Sequence, residues 1–312
     1  MSRFRHANVT SRRAASCVMM LCLLMSSAAA RPPKKSSLAD ARQKINDLIA
    51  KSGATSVAVA FHDLADGSEL LVNPDVSFHA ASTMKVPVMM EIYRQAAAGR
   101  LALDERVTIK NDFVSIADGS HFSISADDDS EPTLYKRLGQ QETVRELMRL
   151  MIIASSNLAT NILIERVQPA RVMALMREMG AQHIQVRRGV EDNKAYERGL
   201  NNTTTARDLM ILLRRLAAGH AVSKQASDEM VRVMLDQQFN ESIPAGLPAE
   251  ARVAHKTGSI TAINHDAAIV FLPHRKPYVL VVLTRGLNDE RRAHQLIADI
   301  SRVIYESVGR RQ

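Results

Sequence analysis

The chain contains no tryptophan, and aromatic residues make up only 4% of its 312 residues. Proteins that hold single-stranded nucleic acid stack the bases on aromatic side chains, and nucleic-acid-binding proteins in general carry clustered basic stripes. The sequence offers few aromatic platforms and no such stripe. We therefore expect no nucleic-acid partner.

Cysteine is almost as scarce, because Cys17 and Cys22 are the only two and both lie near the N-terminus. They fall in a segment with the pattern of a signal peptide, in which a basic region precedes an apolar stretch at residues 14–25 and the small residues Ala28 and Ala30. The basic residues are Arg3, Arg5, Arg12 and Arg13. We expect cleavage after Ala30, so that residues 1–30 are removed. The mature chain would then hold no disulfide, thiol nucleophile or cysteine-based metal site.

Export would also change the charge of the protein. The removed segment carries four of the 41 basic residues, which leaves 37 against 33 acidic residues and lowers the formal net charge from +8 to +4. The alternative, a permanent N-terminal membrane anchor, needs roughly 20 apolar residues, and the apolar stretch is shorter than that. We expect a periplasmic or secreted monomer with no stable membrane anchor.

Along the mature chain, a predicted helix and strands are followed by a long helical region and then by strands and a final helix. After a flexible tail at residues 31–37, the pattern predicts a helix that begins near Ser37 with Asp40 as its capping partner. Strands are predicted next, at residues 56–63 and 68–72. A long helical region follows, with its clearest segments at residues 82–98, 142–154, 158–167, 169–179 and 206–218. The C-terminal part is predicted to hold strands at residues 252–255, 267–272 and 278–284 and a helix at residues 289–306.

This order predicts a mixed fold class, α/β plus all-α, in which an antiparallel sheet is flanked by N- and C-terminal helices. We assign residues 38–80 and 238–312 to a discontinuous α/β domain. Residues 81–237 would form an inserted helical domain, with the active site at the interface. Within it, the polar stretch at residues 111–131 is predicted to be a solvated loop.

The sequence Ser82-Thr83-Met84-Lys85 is the only S-x-x-K in the chain, and it stands where a helix is predicted to begin. Residues i and i+3 of a helix share one face, so Lys85 can hydrogen-bond the Ser82 hydroxyl. A lysine whose pKa is lowered by burial and nearby charge can take the proton of a serine nucleophile, and a helix N-terminus offers N–H groups to an oxyanion. Taken alone, a capping serine beside a surface lysine explains the motif better.

Two further motifs gain meaning beside the first. Ser155-Ser156-Asn157 stands between two predicted helices, where a hydroxyl could pass a proton to a leaving group and the Asn157 amide could hold a substrate carbonyl. His255-Lys256-Thr257-Gly258-Ser259 is predicted to lie on a strand, where Gly258 leaves room for a substrate. Lys256 and Thr257 would supply charge and a donor for an anionic group. By itself, each motif is also an ordinary turn or strand end.

Together and in this order, the three motifs resemble the S-x-x-K, S-D-N and K-T-G set of class A β-lactamases and penicillin-binding proteins. The spacing is similar to that of class A in particular, from about Leu38 to the C-terminus. Ser156 replaces the usual Asp of the middle motif, and Asn161 falls where the family has a second Asn.

The resemblance implies a role for each motif residue. Ser82 would be acylated, Lys85 would be its base, and Ser155 would relay the proton to the departing nitrogen. The backbone N–H groups of Ser82 and Ser259 would form the oxyanion hole. The residues that hold a substrate carboxylate would be Lys256, Thr257 and Arg292.

The resemblance is poorest in the loop that carries the deacylation Glu in class A enzymes, where the usual pattern is E-P-x-L-N. Here Glu191 is the candidate for activating the water and Glu197 is the alternative. The Pro is missing, the loop is shorter by about two residues, and Asn202 stands where the family has an Asp that pairs with an Arg. A solvated carboxylate with no catalytic role remains a further interpretation of Glu191.

The sequence thus predicts a serine hydrolase that opens the amide of a small-molecule β-lactam through an acyl-Ser82 intermediate, with no metal or cofactor. One alternative is a D-alanyl-D-alanine peptidase or an esterase on the same scaffold, which the altered Glu191 loop keeps open. The other is a non-catalytic penicillin-binding or penicillin-sensing domain, against which the intact Ser82–Lys85 pair argues.

Overall fold

Strands from both ends of the chain form one sheet in the computed structural model, which describes residues 38–309. The strands are β1 (Ser56–Asp63), β2 (Glu69–Val72), β3 (Phe78–His79), β4 (Arg106–Thr108), β5 (Phe113–Val114), β6 (His121–Phe122), β7 (Gln141–Thr143), β8 (Thr203–Thr204), β9 (Arg252–Ile260), β10 (Ile263–Phe271) and β11 (Tyr278–Arg285). The main sheet has the order β2-β1-β11-β10-β9, and its neighbours are antiparallel. The other strands form three short pairs, β3–β8, β4–β7 and β5–β6.

Helices precede, follow and interrupt these strands. They are α1 (Leu38–Ser52), α2 (Lys85–Ala97), α3 (Val144–Ile153), α4 (Asn157–Val167), α5 (Pro169–Glu178), α6 (Asn193–Glu197), α7 (Ala206–Ala217), α8 (Lys224–Leu235) and α9 (Glu290–Gly309). Short 3₁₀ turns lie at Ala81–Met84, Ala126–Asp128, Pro132–Arg137 and Pro244–Gly246. Of the helices in residues 38–309, none is both long and apolar enough to cross a membrane.

Both faces of the main sheet are covered, which explains why its strands are apolar without strict alternation. Val59 and Val282 are register partners in β1 and β11, and they pack among apolar residues of α1 and α9. The next pair, Ala58 and Leu283, points to the opposite face and joins a larger cluster with α2, α3, α4, α5, α7 and α8. The sheet therefore separates two apolar cores.

The predicted elements are largely confirmed. The strands at residues 56–63 and 68–72 correspond to β1 and β2, and the five helical segments correspond to α2, α3, α4, α5 and α7. The fold class is confirmed as well, because an antiparallel sheet is flanked by the first and last helices. The predicted signal peptide, the tail at residues 31–37 and the helix start at Ser37 lie outside the described residues. The assignment of residues to two domains stays a prediction.

Several regions differ from the prediction. Strand β10 begins at Ile263 and not at residue 267, and the short strands β3, β4, β7 and β8 were not predicted. Strand β9 continues to Ile260 because its pairing with β10 carries it through the K-T-G motif. The helices α6 and α8 are absent from the predicted set. Helix α6 is only five residues long, and the N-cap Ser223 that precedes α8 was not recognised as a start signal. The polar stretch at residues 111–131 is not a solvated loop, because it holds the β5–β6 pair and buries Ser115 and Asp129.

Candidate active site

The three sequence motifs meet where β9, one of the two edge strands of the main sheet, passes the start of α2. Ser82 lies in the 3₁₀ turn that leads into α2, and Lys256 and Gly258 lie on β9. A Cβ atom at Gly258 would stand 3.0 Å from the backbone N of Ser82 and 3.1 Å from that of Thr83. Glycine therefore allows the strand and the nucleophile turn to approach backbone to backbone. This approach also brings Ser259, the next residue on the strand, to the cleft that Ser82 lines.

Lys85 is fully buried, and its ammonium group faces the middle motif. Its Nζ lies 2.6 Å from the Ser155 carbonyl oxygen, 3.1 Å from Ser155 Oγ and 2.9 Å from Asn157 Oδ1. The hydrogen bond that we expected between Lys85 and Ser82 is not among those that the described residues make. Residues i and i+3 share a face here, but the lysine side chain extends across to the turn between α3 and α4.

The environment of Lys85 favours its neutral form. Burial lowers the pKa of Lys85 to about 7, although the carboxylates of Asp129 and Glu191 act in the opposite direction. The carbonyl oxygen and the amide oxygen can only accept, so they match the two N–H groups of a neutral amine. The Ser155 hydroxyl can then donate to the nitrogen lone pair. All three contacts are therefore compatible with a lysine that acts as a base.

Ser155 lies between two buried lysines. Its Oγ is 3.1 Å from Lys85 Nζ and also 3.1 Å from Lys256 Nζ, whose other partner is the Thr257 carbonyl at 2.9 Å. Burial and the nearby charge of Lys85 hold the pKa of Lys256 well below its ordinary value. Because both amines face one hydroxyl, a charge on one disfavours a charge on the other. For Lys85 itself, burial is the cause of the lowered pKa, and the nearby carboxylates act in the opposite direction.

Three residues of the site have left-handed backbone conformations that are unusual for side chains other than glycine. They are Ala81 (φ 45°), which precedes the nucleophile, Ser155 (φ 57°) and Glu191 (φ 59°). Such conformations cost free energy and persist only where surrounding contacts hold them. The conformation before Ser82 is supported by His79, whose Nδ1 accepts from the Ala81 N–H at 3.1 Å. Burial lowers the pKa of His79 to about 4, so the ring is neutral and can accept.

The carboxylate that the middle motif lacks is supplied by Asp129. Ser156 caps α4 by accepting from the Ala159 N–H, and its hydroxyl donates to Asp129 Oδ2 at 3.3 Å. The same oxygen accepts from the Leu158 N–H at 2.8 Å and from the Tyr135 hydroxyl at 3.0 Å. Our sequence analysis missed Asp129, although the absence of an Asp at position 156 signals that another carboxylate has to reach this helix start.

A cleft of about 400 Å³ opens beside the nucleophile. Of the predicted site residues, it is lined by Ser82, Asn157, Glu191 and Ser259. Lys85 and Lys256 lie behind this surface, because both are fully buried. Glu197, the alternative candidate for the deacylation Glu, is exposed on α6 and is not among the residues that line the cleft. His79, Arg188 and Tyr196 also line it, and our sequence analysis had not assigned them to the site.

Glu191 is held from the side of the preceding residue by Asn161. The Asn161 amide accepts from the Val190 N–H at 2.7 Å and donates to the Val190 carbonyl at 3.0 Å. Gly189 permits this approach, since a Cβ there would collide with the Asn161 side chain. The Glu191 side chain is exposed at the cleft. Desolvation by the surrounding protein and the nearby Asp128 nevertheless raise its pKa, whereas Arg188 and Lys85 act to lower it. A carboxylate with a raised pKa is a better proton acceptor than one at its ordinary pKa.

An amide replaces the expected salt bridge of this loop. Asn202 Oδ1 accepts from the N–H groups of Arg187 and Arg188, and Asn202 Nδ2 donates to the Arg188 carbonyl at 2.9 Å. The buried Arg188 side chain donates to Asn201 Oδ1 and to the carbonyls of Gly189 and Leu200. The neck of the loop is therefore closed by neutral acceptors, and burial lowers the pKa of Arg188.

The residues predicted to hold a substrate carboxylate are only partly brought together. Lys256 and Thr257 are neighbours on β9, and Thr257 is half-buried. Arg292 is placed elsewhere, because its Nη2 donates to the Ser52 carbonyl at the end of α1 and it does not line the cleft. Instead, the Ser259 hydroxyl donates to Glu290 Oε1 at 2.8 Å. A negative charge thus stands behind this end of the cleft.

The site has the parts that acyl transfer requires. They are a serine at a helix entrance, a buried lysine of lowered pKa, a hydroxyl between two amines, and a carboxylate across the same cleft. Within residues 38–309, no group of three His, Cys, Asp or Glu side chains is placed to hold a metal ion.

Comparisons with known proteins extend over most of the chain. The model of the β-lactamase enzyme family matches residues 40–308. A β-lactamase from Streptomyces albus G is 28% identical over 278 residues, which are 88% of this chain and 86% of that protein.

Solved structures of β-lactamases and of PBP-A are also similar to this chain over most of its length. The structure of PBP-A has a TM-score of 0.74 and 27% identity, and the match covers 89% of this chain and 98% of that one. A mutant of PBP-A has been solved as an acyl-enzyme complex with penicillin G. An ancestral class A β-lactamase of Gram-negative bacteria has a TM-score of 0.75 and 27% identity, with coverage of 86% and 99%.

Proposed function

The chain belongs to the β-lactamase enzyme family, and we propose that it hydrolyses β-lactams by a class A type mechanism with Ser82 as its nucleophile. The observation that carries the proposal is the Ser155 hydroxyl, which lies 3.1 Å from each of two buried amines, Lys85 and Lys256. This arrangement can move a proton without solvent. The relatives that match most of the chain are named β-lactamases, which favours hydrolysis over the peptidase, esterase and non-catalytic alternatives.

In the acylation step, the neutral Lys85 amine turns its lone pair from Ser155 to Ser82 and takes the hydroxyl proton, while Ser82 Oγ attacks the β-lactam carbonyl carbon. The carbon–nitrogen bond of the ring breaks. Lys85 then gives its proton to Ser155 Oγ, and the Ser155 hydroxyl proton passes to the departing nitrogen. Lys85 is neutral again at the end of the step, and the acyl group is bonded to Ser82.

In the deacylation step, Glu191 takes a proton from a water molecule, whose oxygen attacks the acyl carbon. The bond between that carbon and Ser82 Oγ breaks, and the proton returns to Ser82. The raised pKa of Glu191 and its place on the wall of the same cleft support this role. An acyl-enzyme without a competent base would stay trapped.

Steady-state hydrolysis of a chromogenic cephalosporin, followed by mass spectrometry of the protein, tests the proposal. We expect turnover by the wild type and no adduct on Ser82→Ala. An adduct that persists on the Ser82→Ala variant would show that the nucleophile is another residue. A wild type that gains one acyl mass and does not turn over would favour the peptidase or the penicillin-binding alternative.

The Glu191→Gln variant tests the second step. The amide keeps the shape of the side chain and cannot accept the proton, so deacylation should slow by about 10²–10⁴ while acylation continues. The adduct should accumulate within seconds of mixing. Glu197→Gln is the matched control and should turn over like the wild type.

We also propose that the protein is exported to the periplasm or the medium. The support is the N-terminal pattern, with its basic region, apolar stretch and small residues at positions 28 and 30. N-terminal sequencing of the secreted protein should give a start at or near Arg31. Recovery of only the full-length chain from the cytoplasm would contradict export.

A further inference from the structure

A hairpin outside the cleft is attached to the residue that follows Glu191. The hairpin comprises residues 113–122, with β5 and β6 as its strands. Ser115 Oγ donates to Asp192 Oδ1 at 2.7 Å, and the Ile116 N–H donates to Asp192 Oδ2 at 3.0 Å. Asp192 and Ser115 are both buried. Each carboxylate oxygen of Asp192 therefore has a partner on the hairpin.

The attachment continues along α6, with contacts nearer the surface. Lys194 Nζ lies 3.0 Å from Asp118 Oδ2 and 2.7 Å from Ser120 Oγ. Arg198 Nη1 donates to the Ala117 carbonyl at 2.6 Å. The side chains of Asp118, Lys194 and Arg198 are exposed, so their contacts contribute less than the buried pair. The buried contact to Asp192 is the one next to Glu191.

The hairpin is itself fixed at its base and its tip. Asn111 bonds Ile124 through both its amide oxygen and its amide nitrogen, each at 2.8 Å. At the tip, the Ser115 N–H donates to the Ser120 carbonyl at 2.8 Å and the Gly119 N–H donates to the Ser115 carbonyl at 2.9 Å. The rings of Phe113 and Phe122 pack with their centroids 5.9 Å apart. Because the hairpin is held in place, its contacts to Asp192 can hold the loop that carries Glu191 in place as well.

Glu191 is thus held from both sides. Asn161 holds Val190 through its N–H and its carbonyl, and the hairpin holds Asp192 through both carboxylate oxygens. The Glu191 backbone between them has a φ of 59°, which does not persist without such support. We propose that Ser115 and Asp192 are positioning residues for deacylation, through which the hairpin at residues 113–122 holds Glu191 against the acyl-enzyme. This inference rests on the proposed deacylation role of Glu191.

The first test separates the two chemical steps. In Ser115→Ala, Asp192 loses its hydroxyl partner, and in Asp192→Asn it loses its charge. Displacement of a reacting group by about 1 Å can cost about 100-fold in rate, so we expect deacylation to slow by about 10- to 100-fold. Acylation should change by less than about threefold, since no hydrogen bond described within residues 38–309 joins Ser82, Lys85 or Ser155 to the hairpin. Rapid mixing with mass spectrometry gives both rate constants.

Ser120→Ala is the matched control, because it is the same chemical change on the same hairpin without a contact to Asp192. It should deacylate within about twofold of the wild type, as expected for a surface contact. A loss equal to that of Ser115→Ala would overturn the specific role of the Asp192 contact. If Asp192→Asn does not fold, Ser115→Ala removes a single oxygen atom and carries the test.

A double variant distinguishes positioning from general stability. If Ser115 acts through Glu191, then Ser115→Ala should slow deacylation no further in a Glu191→Gln background. Additive losses would overturn the inference. So would normal deacylation by Ser115→Ala and Asp192→Asn while Glu191→Gln stalls, and in that case the proposed function stands. If Glu191→Gln deacylates like the wild type, the proposed role of Glu191 fails together with the inference.

Discussion

At the scale of single residues, the buried position of Lys85 determines how the site can work. The side chain has no solvent to stabilise its charge, and its partners match the neutral amine as well as the cation. The same burial makes the lysine available as a base near neutral pH. A surface lysine in an S-x-x-K motif would stay protonated there and could not act.

The rate of acylation should follow the titration of Lys85. Its pKa is about 7. Only the unprotonated amine, which predominates above that pH, can accept the Ser82 proton. The acylation rate constant should therefore rise to a plateau above pH 7 and fall roughly tenfold for each pH unit below it. Single-turnover measurements between pH 5 and 8 check this. Lys85→Ala cannot take the Ser82 proton and should acylate about 10²–10⁴ times more slowly. A wild-type acylation rate that does not change with pH would point to another base.

Asp129 should matter to both stability and acylation. Its carboxylate caps α4, and it supports Ser156 between the two residues that contact Lys85. Asp129→Ala should lower the free energy of unfolding by about 1–3 kcal/mol, because Leu158 N–H and the Ser156 hydroxyl lose a charged partner. Acylation should slow as Ser155 and Asn157 move. Urea unfolding and single-turnover kinetics measure the two effects.

The exposed Asp127, in the same polar stretch, provides the control for Asp129. Asp127→Ala should unfold at the wild-type urea concentration and acylate at the wild-type rate. Equal effects of the two substitutions would mean that only the total negative charge of this stretch matters, and that the position of Asp129 at the start of α4 does not.

At the scale of secondary-structure elements, the site depends on how closely β9 approaches the turn before α2. Gly258→Ala would place a methyl group 3.0 Å and 3.1 Å from two backbone nitrogens, which cannot rotate away as a side chain can. The strand and the turn must then separate, and acylation should fall by at least about tenfold. Gly309→Ala is the control, since nothing lies within 4 Å of a Cβ there. Normal acylation by Gly258→Ala would show that the approach is not needed.

At the scale of the whole molecule, the sheet separates the apolar core on the side of the site from a second apolar core on its opposite face. Ile297 is fully buried in α9, on the face opposite to α2. Ile297→Ala should lower the free energy of unfolding by about 2–5 kcal/mol, through lost apolar contacts and a cavity. The acylation rate of the folded fraction should be unchanged. A variant that is as stable as the wild type, or that acylates slowly while folded, would contradict this separation.

Local patterns in the sequence determined most elements and the candidate residues of the three motifs. Apolar spacing along the chain is a short-range property, so it predicted β1, β2 and the helices α2, α3, α4, α5 and α7 within a few residues. The three motifs also needed no tertiary contact to be recognised, because their residue types and order are visible directly. The weak points were elements without strong periodicity, such as α6 and the hairpin at residues 113–122.

The tertiary structure decided which of these residues meet. Lys85 contacts Ser155, 70 residues away, and Lys256 reaches the same hydroxyl from 101 residues away. Asp129 supplies the carboxylate that is missing at position 156, and the hairpin holds Asp192 beside Glu191. Arg292 donates a hydrogen bond to the end of α1 and does not line the cleft. Contacts at such separations depend on how the sheet and helices pack, and burial, which sets the pKa of Lys85, exists only once they have packed.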